Sequence, residues 1–292
     1  MRFGYVSMNS ASGIRPDVVA RELEERGFDS LWVPQHSHIP TSRLSPFPNG
    51  GDLPSGYLHM MDPLVSLTAA ALATTDLVVA TGVCLLLEAD LLDLACRTAT
   101  LDVLSGGRLL LGVGVGWNRE ELENHRPDVP FAKRYAAMRE RVEALRTIWR
   151  EDEPSFSGTW DDFTTSWVYP KPTRGYVPIA LGNSLPLGIR HAARYADHWS
   201  PIDAHLVNEK GEPDVVGGVA WFRSLVAEYG RDPDSVPVTL WMFRRPEPRR
   251  LERYVPLGLE RIVLSGASAV LEDEAATMRT LDELSPVVSS WR

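Results

Sequence analysis

Eight times along this 292-residue chain, a short apolar run gives way to a segment with helical spacing. The runs lie at residues 2–8, Ser30–Val33, Leu77–Val83, Arg108–Val113, Pro178–Leu181, Asp197–Ser200, Val236–Trp241 and Arg261–Leu264. Leu109-Leu110-Leu111 and Val78-Val79-Ala80 are continuous rather than alternating, the pattern of strands buried on both faces of a parallel sheet. Helical spacing follows near 15–27, from Pro63, at 91–104, through Tyr135, Met138, Val142, Leu145 and Trp149, and near 184–195, 215–229, 246–254 and 270–283. Caps support these limits. Pro16 stands in the first turn of the first helix and Gly27 ends it, while Asp62 precedes Pro63 as an N-cap. The alternation predicts one α/β domain over 1–292, a (β/α)8 TIM barrel; an open doubly wound sheet is the alternative.

Two segments break the rhythm. Residues 34–61 form a long connection with Pro34, Pro40, Pro46, Pro48, Asn49-Gly50-Gly51 and Pro54, and 151–177 hold Trp160, Phe163, Trp167 and Tyr169. Long connections in a compact domain are usually functional. Both are expected as insertions at the C-terminal face of the strands, covering a substrate, because barrel active sites lie on that face.

The formal net charge of −9 repels phosphate backbones, so no nucleic acid and no anionic membrane is expected as a partner. No apolar run reaches the ~18 residues of a membrane span. Met1 to Ser7 reads as a strand and not as a signal peptide. Cys84 and Cys96 have neither a metal nor a disulfide-framework spacing, so a cytoplasmic location is the default.

His36 and His38 directly follow the second strand. They could bind a metal if later strand ends added ligands, but only His198 and Asp203 lie near such an exit. One neutral imidazole could instead exchange protons in a pocket, or both could be solvated loop residues. Gly112-Val113-Gly114-Val115-Gly116-Trp117-Asn118 ends the fourth strand. Its G-x-G-x-G spacing is not a dinucleotide fingerprint. It reads either as a tight turn or as a close approach of backbone to a flat ligand. Gly182-Asn183-Ser184 opens a helix, with Ser184 as a candidate N-cap, and could hold an anion; Ser265-Gly266 and Ser268 offer a second such turn. Arg244-Arg245 and Arg249-Arg250 read as a solvated face, and neither cysteine has an activating neighbour.

Glu25–Pro34, Ala80–Val83, Thr98–Trp117, Leu181–Ser184 and Ala192–Trp199 together resemble the bacterial luciferase-like monooxygenase superfamily, and within it the branch that uses the deazaflavin coenzyme F420. The resemblance covers about residues 1–200, and Thr98–Trp117 is its most specific part. It implies an oxidoreductase barrel with the coenzyme ring over the strand ends and its phosphate at a helix start. His36 matches the proton-transfer residue, while Gln35 stands where the family often has an acid. Gly82-Val83 matches a cis-peptide bulge behind the ring, and Leu85, Val113, Gly114 and Asn118 match positions near the coenzyme. Gly182, Asn183 and Ser184 match the phosphate-binding turn. The turn Gly114-Val115-Gly116 lacks the carboxylate of the sugar-phosphate dehydrogenases, which argues against that substrate class. The resemblance thus implies hydride transfer to or from a small organic substrate with coenzyme F420. The alternative is an FMN-dependent monooxygenase supplied by a separate reductase. A metal-dependent hydrolase and a non-catalytic binding barrel are further alternatives. Family members are commonly homodimers.

Overall fold

The computed structural model describes residues 1–265 and 273–291. Eight parallel strands form the barrel: β1 (Arg2–Val6), β2 (Ser30–Val33), β3 (Val78–Thr81), β4 (Leu109–Gly114), β5 (Ile179–Leu181), β6 (His198–Trp199), β7 (Thr239–Met242) and β8 (Arg261–Ser265). Each strand pairs with the next in chain order from β1 to β6, and β7 pairs with β8, which pairs with β1. Closure between β6 and β7 is made by the parallel bridges Trp199–Val238 and Ile202–Trp241. The predicted (β/α)8 barrel is therefore the fold, and the open sheet is not.

Two apolar layers hold it. Strand residues such as Phe3, Leu31, Val79, Leu109 and Ile179 pack outward against helices Pro16–Glu25, Pro63–Leu72, Leu91–Leu104 and Arg134–Arg150. A smaller inward cluster of Trp32, Ala80, Leu110, Ala180, Trp241 and Val263 fills the barrel axis. Trp32 and Trp241 meet there edge to face, ring centroids 5.5 Å apart. The interior below the mouth is thus a packed plug.

Local chemistry explains the element ends. Gly27 takes φ +79°, and the Phe28 amide donates to the Leu23 carbonyl, closing the first helix. The Asp62 carboxylate accepts from the Val65 amide, as an N-cap should. Ser184 is not a cap: the helix is Pro186–Tyr195 with Leu185 at its N-cap, because the Ser184 hydroxyl accepts the Ile202 amide at 2.8 Å instead. The last helix is Glu274–Trp291, longer at its C-terminal end than the apolar spacing at 270–283 suggests. Gly266 and Ser268 lie outside the described residues.

The 34–61 connection lies on the C-terminal face. Glu120 ties it down by accepting the Ser45 amide at 3.0 Å and both the Ser42 and Ser45 hydroxyls. Segment 151–177 leaves the end of Arg134–Arg150 and runs outside the barrel, where Lys171 donates to the Ile148 carbonyl and the Thr173 amide to Asp102. Its hairpin, Phe156–Ser157 with Asp162–Phe163, carries Trp160 and Asp161 up to the rim beside Leu87 and Arg141. Only that tip reaches the C-terminal face. Among the described residues no helix is long and apolar enough to cross a membrane.

Candidate active site

Four distant segments meet along one side of the barrel mouth. The Gly82 amide donates to the Val33 carbonyl, and the Leu85 amide donates to the side-chain oxygen of Gln35 at 2.9 Å. Cys84–Leu85 pairs with Val113–Gly114, and the Gly182 amide donates to the Val113 carbonyl. The Gly82–Val83 bond is cis, as the resemblance implies. Glycines make this convergence possible. A Cβ on Gly114 would stand 2.6 Å from Val83 Cγ2, one on Gly182 would stand 2.5 Å from Val83 Cγ1, and one on Gly82 would strike the Trp241 indole at 2.2 Å. Val83 is therefore set between β4 and β5, with Trp241 opposite Gly82.

His36 stands on this rim with its side chain 6% exposed. Its Nδ1 lies 2.6 Å from Oε2 of Glu121, a fully buried carboxylate. Tyr57 and Trp117 flank the imidazole, centroids 5.5 and 5.6 Å away, and Phe47 packs on both. His38 is engaged elsewhere, with Ser37 and with the Asn124 amide. The two histidines do not share a ligand-binding geometry, and among the described residues no three His, Cys, Asp or Glu side chains cluster as metal ligands would.

Glu121 and its helix Arg119–His125 escape a reading of the sequence, because Leu122 is the one apolar residue in that span. The available signal is Asn118 followed three residues later by Glu121, the spacing of an N-cap pair. Asn118 does cap the helix, accepting the Glu121 amide at 3.2 Å, so its expected place near a coenzyme is also a structural post. Glu88 is the second unforeseen residue, 8% exposed in the apolar run Leu85-Leu86-Leu87-Glu88. Burial, and then the Glu121 charge beside it, push the Glu88 carboxyl well above the usual carboxylate range. A neutral imidazole whose Nδ1 donates to the Glu121 carboxylate leaves Nε2 as the acceptor.

The far side of the mouth is polar and unsatisfied. Among the described residues, Asn183 Oδ1, Ser200 Oγ, Asp203 Oδ1 and Trp241 Nε1 are buried without a hydrogen-bond partner at or beyond the ends of β5, β6 and β7. Such groups are costly unless a ligand or water pairs with them. Together with the glycine-lined rim they fit a flat ring that has polar edges. Leu187 and Gly188 begin the helix Pro186–Tyr195, where first-turn amides lack intrahelical acceptors and favour an anion.

The luciferase-like monooxygenase family model matches residues 7–245. This chain belongs to that family. An uncharacterized protein of Mycobacterium tuberculosis, Rv0953c, is 35% identical over 96% of this chain and 97% of its own. An F420-dependent glucose-6-phosphate dehydrogenase of Amycolatopsis mediterranei is 27% identical over 97% of this chain and 81% of its own. In fold, the chain is similar to an F420-dependent secondary alcohol dehydrogenase solved with an F420–acetone adduct, with TM-score 0.75, 19% identity and coverage of 100% and 99%. The protein is a luciferase-like oxidoreductase on a TIM barrel.

Proposed function

We propose that the protein is an F420-dependent oxidoreductase acting on a small organic substrate. Gln35, Gly82, Val83, Leu85, Val113, Gly114 and Asn118 would line the ring site. Gly182, Asn183 and Ser184, with the amides that open the next helix, would face the phosphate. When bound, the deazaflavin supplies or accepts the hydride, and the protein does the rest. The observation that carries this reading is His36 held through Nδ1 by Glu121, with Nε2 left for the substrate's proton. Tyr57, Trp117 and Phe47 would keep water from that exchange. The relative named for F420 supports the deazaflavin. The family description supports a monooxygenase as the second reading, for which FMN would be the cofactor.

His36→Ala tests the role of the histidine. The variant retains coenzyme affinity and loses turnover by about 100-fold or more, the usual scale of general acid–base catalysis. Unchanged turnover would take His36 out of the mechanism.

A further inference from the structure

The helix that opens beside the proposed phosphate turn carries cations and no acid. Pro186–Tyr195 holds Arg190, His191 and Arg194 and neither Asp nor Glu, in a chain whose net charge is −9. Arg190 lies over Trp221, whereas His191 meets the neighbouring helix Arg134–Arg150. The Tyr135 and His191 rings touch across this seam with centroids 5.1 Å apart, and Tyr195 follows His191 at 5.7 Å. In the other direction the Arg134 guanidinium lies 5.5 Å from the Tyr135 ring and 3.9 Å from the Phe131 ring. Arg119, which follows Asn118 at the mouth, lies 4.7 Å from the same Phe131 ring. A continuous row of side chains therefore leads from the rim of the mouth into the seam between two outer helices.

This row is short of negative charge. Arg139 meets Glu143 at 3.7 Å and Arg119 meets Glu123 at 3.9 Å, both pairs at the surface and within one helix. Among the described residues, Arg134 and Arg194 have no carboxylate partner. Arg134 Nε, His191 Nδ1 and Tyr195 Oη are buried without a hydrogen-bond partner. Burial, and then the charges of Arg139 and Arg194, hold His191 below the usual histidine range. A field of this sign favours an anionic guest.

The row also starts where a coenzyme tail would. In the reading above, the phosphate faces Gly182–Ser184 and the first amides of Pro186–Tyr195. From Leu187 to Arg194 the helix advances about 10 Å, at about 1.5 Å per residue. About three extended amide-linked units cover that distance. The two candidate coenzymes differ at this end. FMN stops at its phosphate, whereas F420 continues past it into a chain of amide-linked glutamates, each bearing a carboxylate.

We propose that this row is a subsite for the acidic tail of the coenzyme, with Arg134, Arg139 and Arg194 holding successive carboxylates along the Tyr135–His191 seam. The protein then selects a deazaflavin over FMN by what lies beyond the phosphate. The subsite rests on the F420 reading and extends it to residues that touch neither ring nor substrate. Surface ion pairs are individually weak and screened by salt, so the tail adds a modest, salt-sensitive increment to binding.

The test compares F420 carrying its glutamate chain with the same coenzyme cut back to its phosphate. The wild type should bind the long form about tenfold more tightly at low salt, the scale of a few surface ion pairs, and the gap should close as salt is raised. A double variant, Arg139→Gln with Arg194→Gln, should bind the two forms alike. Equal affinity of the wild type for both forms, a gap indifferent to salt, or a gap that survives in the double variant would overturn the subsite and leave the F420 reading standing. If neither form binds, the F420 reading itself fails. A second measurement needs neither variant nor coenzyme ring. An oligo-γ-glutamate alone, titrated into the ligand-free wild type, should shift the imidazole NMR signals of His191 and raise the pH at which they titrate. Signals that stay in place would overturn the subsite whichever ring the mouth accepts.

Discussion

Among single residues, the carboxyl groups of Glu88 and Glu120 and the His36 imidazole respond most directly to their surroundings. Burial, and then the neighbouring Glu121, hold the Glu88 carboxyl well above its ordinary value of 4.5 in the folded protein. Above that ordinary value the folded state keeps a proton that the unfolded state has lost, so this group lowers stability as pH rises. The slope is at most about 1.4 kcal/mol per pH unit for one proton. Glu88→Gln removes that dependence. Denaturant titrations at several pH values should show the variant gaining on the wild type as pH rises above about 5, and a constant difference would contradict a raised Glu88. Glu120 behaves in the opposite sense. Hydrogen bonds from Ser45 hold it down at about 2, so its grip on the 34–61 connection persists above that value and loosens only as pH falls through it. His36 is legible in the sequence because it directly follows a strand that ends at the mouth. Its partner is not, because a contact across 85 positions depends on where the barrel closes.

Among the elements, strands and most helices can be read from residue order because each is bounded by Gly, Pro or a capping Asp. Ser30–Val33 and Leu91–Leu104 coincide with the expected limits. The helix Arg119–His125 does not announce itself, since it buries one apolar side chain and is held by Asn118 and Glu121. The hairpin of 151–177 is equally hidden, because its place is set by an ion pair. Asp161 and Arg141 are both nearly buried, with side chains 4% and 3% exposed, and Arg141 also supports the turn that presents Glu88. Asp161→Ala would leave a buried guanidinium without its counter-charge and should cost about 3–5 kcal/mol in urea unfolding. Glu143→Ala, which breaks the exposed pair with Arg139, should cost about 0–1 kcal/mol. Equal losses would show that the hairpin is not anchored by charge.

For the whole molecule, the barrel explains why residues near 36, 82, 114 and 183 can act together. They end adjacent strands β2 to β5, so one arc of the rim gathers them. That much follows from the strand–helix alternation. What the alternation leaves open is the ligand, because the pocket walls are contributed by Tyr57, Phe47 and Trp117 through ring contacts that no periodicity encodes. The closing test is a side-by-side binding titration of coenzyme F420 and FMN with the purified protein. Saturable F420 binding at concentrations where FMN does not bind, with no oxygen consumption, is the predicted result. A preference for FMN, accompanied by oxygen uptake when the reduced flavin is supplied, would contradict it.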